Sequence, residues 1–180
     1  MNDRLDIKKY IRTVEDFPIP GIRFRDITSL AESPVGFAKA CKELIELAEA
    51  FNPVSVVSIE SRGFIFAGPL AVNLSIPFIL ARKPGKLPND SYSKSFDLEY
   101  GSTSIEIQKN TFISNNDRVV IVDDLIATGG TAIACCEILV ENFGIEKSNI
   151  LFLGVIDLPD LGGSQRIKDA GHNIEVLVSY

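Results

Sequence analysis

Short, almost wholly apolar runs that alternate with segments of helical spacing constrain this chain most. Four of the runs are predicted as strands: Val54–Ile59, Ile76–Leu80, Arg118–Val122 and Ile150–Ile156. Ser104–Ile107 and the IEVLVS run near the end are two further candidates. Three segments carry apolar residues at helical spacing: Pro34 to about Asn52, Phe64–Leu74 and Thr131–Phe143. This alternation predicts an α/β fold, with a mainly parallel central sheet flanked by helices.

Composition limits the size of the protein and its partners. With 180 residues, of which 46% are hydrophobic and 23% charged, we expect one domain over residues 1–180. A net charge of −6 without a long Lys/Arg run argues against nucleic acid and anionic membrane as partners. No apolar segment approaches the roughly 20 residues of a spanning helix, so we expect a cytoplasmic protein. Cys41, Cys135, Cys136 and the single His172 lack metal-ligand spacing, which predicts reduced structural thiols.

Two segments fit the alternation poorly. The first 30 residues contain DFPIPGIRFRD, with two prolines and a glycine, and are expected to cap the main sheet. The segment from Arg82 to Gly101 is rich in polar residues, proline and glycine and shows little periodicity. It is predicted to be a mobile functional loop, because it offers few apolar anchors.

The stretch Val119–Thr131 (VVIVDDLIATGGT) predicts a ligand site. In parallel sheets, ligands bind beyond the carboxyl ends of the strands. Gly129 and Gly130 let consecutive backbone amides converge, and the positive end of the following helix favours a phosphate. Asp123 and Asp124 repel phosphate, but they suit vicinal hydroxyls or a bridging metal ion. A ribose 5-phosphate satisfies both halves, whereas the plainer interpretation is a capped strand-to-helix turn.

Known nucleotide motifs fit this stretch poorly. The P-loop pattern requires a lysine after its last glycine, and GxGxxG is absent. The stretch instead resembles the phosphoribosyl pyrophosphate signature of the phosphoribosyltransferases. Four further blocks resemble, in order, those of the adenine phosphoribosyltransferase family: DFPIPGIRFRDIT, ESRGFIFAGPLA, ARKPGKLP and SFDLEYGSTSIEIQ. The resemblance leaves only the N-terminal dozen residues and the last stretch poorly marked.

The resemblance implies a type I phosphoribosyltransferase fold, with a small hood at about residues 1–32 and a flexible catalytic loop at about 86–104. It implies transfer of the 5-phosphoribosyl group from phosphoribosyl pyrophosphate to adenine, with magnesium, by a homodimer. The metal is expected on substrate and water rather than on direct protein ligands. A cis or strained Glu60-Ser61 peptide is also implied.

Site residues follow from the same resemblance. Residues expected at phosphoribosyl pyrophosphate are Ser61, Arg82, Lys83, Lys86, Asp123, Asp124, Ala127, Thr128, Gly129, Gly130 and Thr131. Arg62, Glu99 and Tyr100 are the expected catalytic residues, with Arg62 on pyrophosphate and Glu99 on the adenine proton. Arg82 or Lys83 is expected to serve the neighbouring subunit. The adenine-binding residues are Arg23, Phe24 and Arg25, where Phe24 covers the ring and the two arginine backbones read the base.

Several alternatives remain open at this stage. Arg62 could be a surface ion-pair partner, Phe24 a core aromatic, and Glu99 a polar lid residue that only contacts solvent. A regulator built on the same fold is the non-enzyme alternative, although the acidic composition and the arginines disfavour it. An enzyme for xanthine or orotate is the nearest enzymatic alternative. Ala127 disfavours it, because 6-oxopurine relatives typically carry an aspartate there.

Overall fold

The α/β prediction is confirmed by the computed structural model, which describes residues 7–98 and 101–180. Within these residues the strands are Arg12–Glu15 (β1), Arg23–Asp26 (β2), Ser55–Ile59 (β3), Phe78–Arg82 (β4), Ser91–Leu98 (β5), Gly101–Gln108 (β6), Val119–Ile126 (β7), Ile150–Asp157 (β8) and Asn173–Ser179 (β9). The helices are Ile27–Glu32 (α1), Pro34–Phe51 (α2), Gly63–Leu74 (α3), Gly130–Phe143 (α4) and Gly163–Asp169 (α5).

The central sheet has the strand order β5-β6-β4-β3-β7-β8-β9 in the described part of the chain. The five strands from β4 to β9 in this order are parallel, and β6 and β5 extend one edge as an antiparallel hairpin. Every residue of β3 and β8 is buried, as expected for strands with a helix layer on both faces. The carboxyl ends of the parallel strands therefore meet at one edge of the sheet.

Helix α2 shows why the sequence pattern predicted its ends well. The Ser33 hydroxyl accepts a hydrogen bond from the Gly36 amide at 3.1 Å, and Pro34 occupies the first turn, where its missing N–H costs nothing. The helix ends at Asn52, which adopts the left-handed conformation that terminates helices. These local signals act within a few residues, so they can be recognised without the rest of the fold.

The core has one layer on each face of the sheet. Helices α1, α2 and α3 cover one face, where Phe66 and Leu44 are fully buried. Helices α4 and α5 and the inner side of the β5–β6 hairpin cover the other, around Phe152. The free, buried cysteines divide between the layers: Cys41 lies in the first, and Cys135 and Cys136 lie in the second. Burial raises the pKa of Cys41 to about 11 and that of Cys136 to about 12.

The segment 82–101 is more regular than the sequence predicted, because about half of it is β-strand, while a flexible catalytic loop at about 86–104 stays a prediction. Ser91–Leu98 is a strand that pairs with β6 from Ser91↔Gln108 to Leu98↔Gly101. Tyr92 and Phe96 alternate along β5 and pack on the core. Lys94, between them, hid the alternation in the sequence, but its ammonium lies 2.8 Å from Glu141 and 3.3 Å from Glu137 on α4. Glu99 and Tyr100 lie outside the described residues.

Two further differences concern strand and hood boundaries. Strand β7 continues past Val122 to Ile126, because its pairing with β8 persists through Asp123↔Gly154 and Ile126↔Asp157. The acidic pair is therefore part of the strand. Near the N-terminus, β1 and β2 form an antiparallel hairpin, and α1 follows it directly. None of the helices in the described ranges is long and apolar enough to cross a membrane.

Candidate active site

A cavity opens where β3 and β7 separate. Their pairing ends at Ser58↔Val122, while β7 continues beside β8, so the two chains diverge at the carboxyl edge of the sheet. The cavity has a volume of about 310 Å³. It is lined by Ile59, Glu60, Ser61, Arg62, Lys83, Phe96, Ser104, Ile105, Asp123, Asp124, Leu125 and Thr131. The ends of β3 and β7, the residue after β4, the β5–β6 hairpin and the start of α4 thus share one space.

Arg62 lies directly against the acidic pair. Its Nε donates to Oδ2 of Asp124 at 2.6 Å, and the Asp124 side chain is buried. Burial lowers the pKa of Arg62, but the hydrogen bond and the charge of Asp124 outweigh it and leave that pKa raised. The two terminal nitrogens of the guanidinium supply further N–H donors. Arg62 can therefore hold Asp124 and also contact a second anion.

The surroundings of Asp123 disfavour the ionised form of its carboxyl group. Its Oδ1 accepts the backbone N–H of Asp124 at 2.8 Å. Burial at the base of the cavity raises the pKa of Asp123 well above its usual range; the Asp124 charge adds to this rise, and Arg62 partly opposes it. A ligand that donates hydrogen bonds, such as a diol, stabilises the ionised carboxylate. This acidic site is thus better suited to hydroxyl groups than to phosphate.

The Glu60–Arg62 turn is held in place by β4. The Glu60-Ser61 peptide is cis, which confirms that prediction, and the Glu60 amide donates to the carbonyl of Ala81 at 3.0 Å. Arg82 Nε donates to Oε2 of Glu60 at 2.7 Å, and Nη1 of Arg82 donates to the Lys86 carbonyl at 3.1 Å. Of the three basic residues predicted here, only Lys83 lines the cavity. Arg82 supports the turn, and Lys86 is exposed.

The glycine turn after β7 forms a second, smaller hollow. It has a volume of about 90 Å³ and shares Asp123, Leu125 and Thr131 with the first cavity. Its lining includes each predicted residue from Ala127 to Thr131. Gly129 has a φ of 79°, in the left-handed region that favours glycine, and α4 begins at Gly130. The hollow therefore combines backbone amides with the positive end of a 14-residue helix.

The β5–β6 hairpin closes one side of this region. A Cβ on Gly130 would lie 3.1 Å from Cδ2 of Phe96, so the hairpin touches the start of α4. Phe96 and Ser104 line the larger cavity, although neither was among the predicted site residues. Phe96 was missed because the segment around it was interpreted as an irregular loop.

The hood lies at the same edge of the sheet but outside both cavities. Among the described lining residues none is Arg23, Phe24 or Arg25. The Arg25 guanidinium donates to Thr13 Oγ1 and stacks 4.0 Å from the ring centroid of Tyr180, which follows β9. Phe24 is half-buried and packs edge-on against Phe17, with ring centroids 5.1 Å apart. The two arginine side chains are thus used within the hood and against Tyr180, and Arg23 pairs with Glu15.

Metal-binding groups of the usual kind are not found in the described residues: no three His, Cys, Asp or Glu side chains there lie close enough together to hold an ion. The carboxylates that line the larger cavity belong to Asp123, Asp124 and Glu60, and Glu60 accepts a hydrogen bond from Arg82.

The chain is similar to known proteins in both sequence and fold. The family model described as "Phosphoribosyl transferase domain" matches residues 27–157. The adenine phosphoribosyltransferase of Erythrobacter litoralis (strain HTCC2594) is 45% identical over 175 residues, which is 97% of this chain and 96% of the relative. The crystal structure of APRTase from Giardia lamblia complexed with 9-deazaadenine is similar, with a TM-score of 0.89, 33% identity and coverage of 98% and 97% of the two chains. Adenine phosphoribosyltransferase from Saccharomyces cerevisiae, solved with an imino-altritol bisphosphate and adenine, gives a TM-score of 0.86, 35% identity and 97% and 98% coverage.

Proposed function

Because the chain belongs to the adenine phosphoribosyltransferase family, we propose that it transfers the 5-phosphoribosyl group from phosphoribosyl pyrophosphate to adenine. The products are AMP and pyrophosphate, and the reaction is a pentosyl transfer of purine salvage. One observation carries this proposal beyond the family. The acidic pair of β7, the Ser61-Arg62 turn and Lys83 line a single cavity, and that cavity adjoins the amide-lined hollow of Ala127–Thr131.

Each part of phosphoribosyl pyrophosphate has a matching part of this site. The 5-phosphate binds in the hollow of Ala127–Thr131, where neutral amides and the helix end supply the positive field. The two ribose hydroxyls donate to Asp123 and Asp124. The pyrophosphate then lies toward Ser61, Arg62 and Lys83 in the larger cavity. The charges favour a position of the carboxylates between the two phosphate groups, since they repel both, and the resemblance of Val119–Thr131 to the phosphoribosyl pyrophosphate signature assigns the 5-phosphate to the hollow.

The chemistry depends on the leaving group. Breaking the C1–pyrophosphate bond leaves positive charge on the ribose and adds negative charge to pyrophosphate. Donors that are already oriented toward the leaving group stabilise that state more than the bound substrate. Arg62 is oriented by Asp124, and the turn that carries it is oriented by Arg82 through Glu60. The carboxylates of Asp123 and Asp124 stabilise the developing charge on the sugar.

Adenine is the proposed base, bound under the hood. The Giardia lamblia relative was solved with 9-deazaadenine and the Saccharomyces cerevisiae relative with adenine. In this chain we assign Phe24 to the face of the ring and the backbones of Arg23 and Arg25 to its polar edge. This assignment agrees with both arginine side chains having other partners. A 6-oxopurine is disfavoured, because Ala127 stands where relatives that bind 6-oxopurines typically carry an aspartate.

Magnesium is the proposed cofactor, because Mg²⁺ keeps several waters and usually binds one or two carboxylates together with substrate phosphates. When bound, it neutralises charge on pyrophosphate and so assists its departure. We expect the metal mainly on substrate phosphates and water, with Asp123 and Asp124 contacting the ribose hydroxyls rather than the metal directly. A cytoplasmic location, favoured by the composition, belongs to the same proposal.

The test of the function is a base-selection assay. The protein is incubated with Mg²⁺, phosphoribosyl pyrophosphate and, separately, adenine, hypoxanthine, guanine, xanthine and orotate, and nucleotide formation is followed by chromatography. We expect AMP from adenine and little product from the other bases. If nucleotide formed only from orotate or xanthine, the enzyme would use that base instead of adenine. If no base gave a nucleotide, a non-enzymatic regulator with the same fold would be favoured.

Glu99 is proposed as the acceptor or relay of the adenine proton, with Tyr100 packing over the site. Replacing Glu99 with leucine should lower kcat about a hundredfold, because general acid–base catalysis is worth that order of magnitude. The KM for phosphoribosyl pyrophosphate should change little. Steady-state kinetics check this, with Glu106→Leu, in the described part of the hairpin, as the control. An unchanged kcat would remove the proton role.

A homodimer is also proposed, with α3 as the contact surface. Val72 is 80% exposed, and Ile65 and Phe78 are more than a third exposed. Ile65 and Val72 lie two turns apart on one face of α3, and Phe64 packs on Phe78 of β4. Within one copy Arg82 is bonded to Glu60 and Lys83 lines the cavity, so a role of either residue in the partner's site stays a prediction.

Substituting aspartate for Val72 should convert the dimer to monomer, because the charge would be buried between the copies. Analytical ultracentrifugation measures the change. Val35→Asp, on a 66% exposed residue of α2, is the matched control and should remain dimeric. A monomeric wild type would contradict the dimer, and dissociation by the Val35 change alone would place the interface elsewhere.

A further inference from the structure

The start of α5 lies directly behind the hollow of Ala127–Thr131. The Gly163 amide donates to the carbonyl of Ala127 at 3.0 Å. The approach is so close that a Cβ on Gly163 would lie 2.2 Å from the Ala127 carbonyl oxygen and 2.7 Å from the Gly129 nitrogen. Both atoms are backbone, so a side chain at position 163 requires the Ala127–Gly129 backbone to move.

Arg166, one turn further along α5, holds the next carbonyl. Its Nη1 donates to the Thr128 carbonyl at 2.6 Å. Two successive peptide groups of the hollow, 127–128 and 128–129, are therefore bonded to α5. In a planar trans peptide the N–H points opposite to the C=O. Holding the two carbonyls consequently sets the directions of the Thr128 and Gly129 amides, which line the hollow.

We propose that Gly163 and Arg166 are positioning residues for the phosphate-binding backbone. They orient the Thr128 and Gly129 amides before the ligand arrives, so that phosphate binds without reorganising the turn. The inference deepens the proposed function and rests on it for the identity of the 5-phosphate. The sequence carried a signal for this support in the Gly162-Gly163 pair, which follows β8 much as Gly129-Gly130 follows β7.

Replacing Arg166 with alanine tests the carbonyl contact. We expect the KM for phosphoribosyl pyrophosphate to rise about tenfold, the order of one charge-assisted hydrogen bond, with kcat and the adenine KM nearly unchanged. Arg166→Lys should restore part of the affinity, since an ammonium can donate to the same carbonyl. Lys168→Ala removes another exposed cation of α5 and should behave as wild type. Equal effects of the Arg166 and Lys168 changes, or equal changes in both KM values, would overturn the proposal.

The two glycines of the turn provide a second, matched test. Gly162 has a φ of 73° but open space around its Cβ position, so Gly162→Ala introduces backbone strain without touching the hollow. Gly163→Ala introduces contact with Ala127 and Gly129. After confirming folding by circular dichroism, the rise in Tm caused by saturating ribose 5-phosphate is measured for each variant. Gly162→Ala should lower the starting Tm and keep the ligand-induced rise, whereas Gly163→Ala should lose most of that rise.

These measurements separate the two proposals. A wild type that is stabilised by ribose 5-phosphate but makes no nucleotide from any base contradicts the proposed function. The Tm comparison of the two glycine variants then still tests the positioning role. A wild type that makes AMP, with Gly163→Ala and Gly162→Ala stabilised equally by ribose 5-phosphate, contradicts the positioning role alone. If Gly163→Ala does not fold, the Arg166 series decides.

Discussion

Replacing Arg62 with alanine should lower kcat about 10²- to 10³-fold, the usual cost of removing an oriented donor from a developing anion. The structure gives two reasons for a value this large. The guanidinium lines the cavity proposed for pyrophosphate, and its bond to Asp124 fixes its direction. Removing it also leaves the buried Asp124 carboxylate without its positively charged partner, which destabilises the folded protein.

Two controls separate charge from orientation at this position. Arg62→Lys keeps the positive charge but loses the planar guanidinium, and we expect an intermediate kcat. Arg118→Ala removes an exposed arginine that stacks on Phe51 at the other end of β7, and its kcat should equal that of wild type. A normal kcat with a reduced Tm in Arg62→Ala would show that the ion pair is purely structural.

Replacing Asp123 with asparagine should have opposite effects on stability and activity. The pKa of Asp123 is higher in the folded protein than in the unfolded chain, so the folded state binds its proton more tightly. Its contribution to stability is therefore present below the ordinary aspartate pKa of about 3.9 and is lost as the pH rises through the raised value. Above the ordinary aspartate pKa this buried group therefore lowers the stability of the fold, and asparagine removes that cost.

The measurement is the Tm by calorimetry without ligand or metal, at about pH 8 and about pH 4, the latter near the ordinary aspartate pKa. Asp123→Asn should exceed wild type at the higher pH, and the difference should shrink at the lower one. Its kcat/KM for phosphoribosyl pyrophosphate should fall about a hundredfold, because hydroxyl groups bond more weakly to an amide than to a carboxylate. Asp160→Asn, on an exposed residue, serves as the control. A Tm gain that is independent of pH would show that ionisation is not its source.

The central strands and helices could be predicted because their signals are local. Strands β3 and β8 are continuous apolar runs, and α2 carries its caps at Ser33 and Asn52. Strand β5 could not be predicted in the same way. Its inward face includes Lys94, whose partners Glu137 and Glu141 are distant in sequence, so the pairing exists only in the folded chain.

The candidate site shows the same difference between local signals and contacts that are distant in sequence. The Val119–Thr131 stretch predicted the acidic pair and the amide hollow, since one short segment contains both. The contacts that orient it come from elsewhere: Arg62 on Asp124, Arg82 on Glu60, and Arg166 on Thr128. An arginine in a sequence does not identify its acceptor. The roles of these three arginines could therefore be assigned only from the folded structure. The pattern of the sequence was enough to identify the acidic pair and the glycine turn.

The placement of the cysteines makes unfolding observable one layer at a time. Alkylating reagents attack the thiolate, which the raised pKa values make scarce in the folded protein. Modification therefore requires local opening. Cys41, on α2, reports the layer that contains α1, α2 and α3, and Cys135 and Cys136, on α4, report the layer on the other face. Peptide mass spectrometry at rising denaturant thus reveals whether the two sides of the sheet separate together or in sequence.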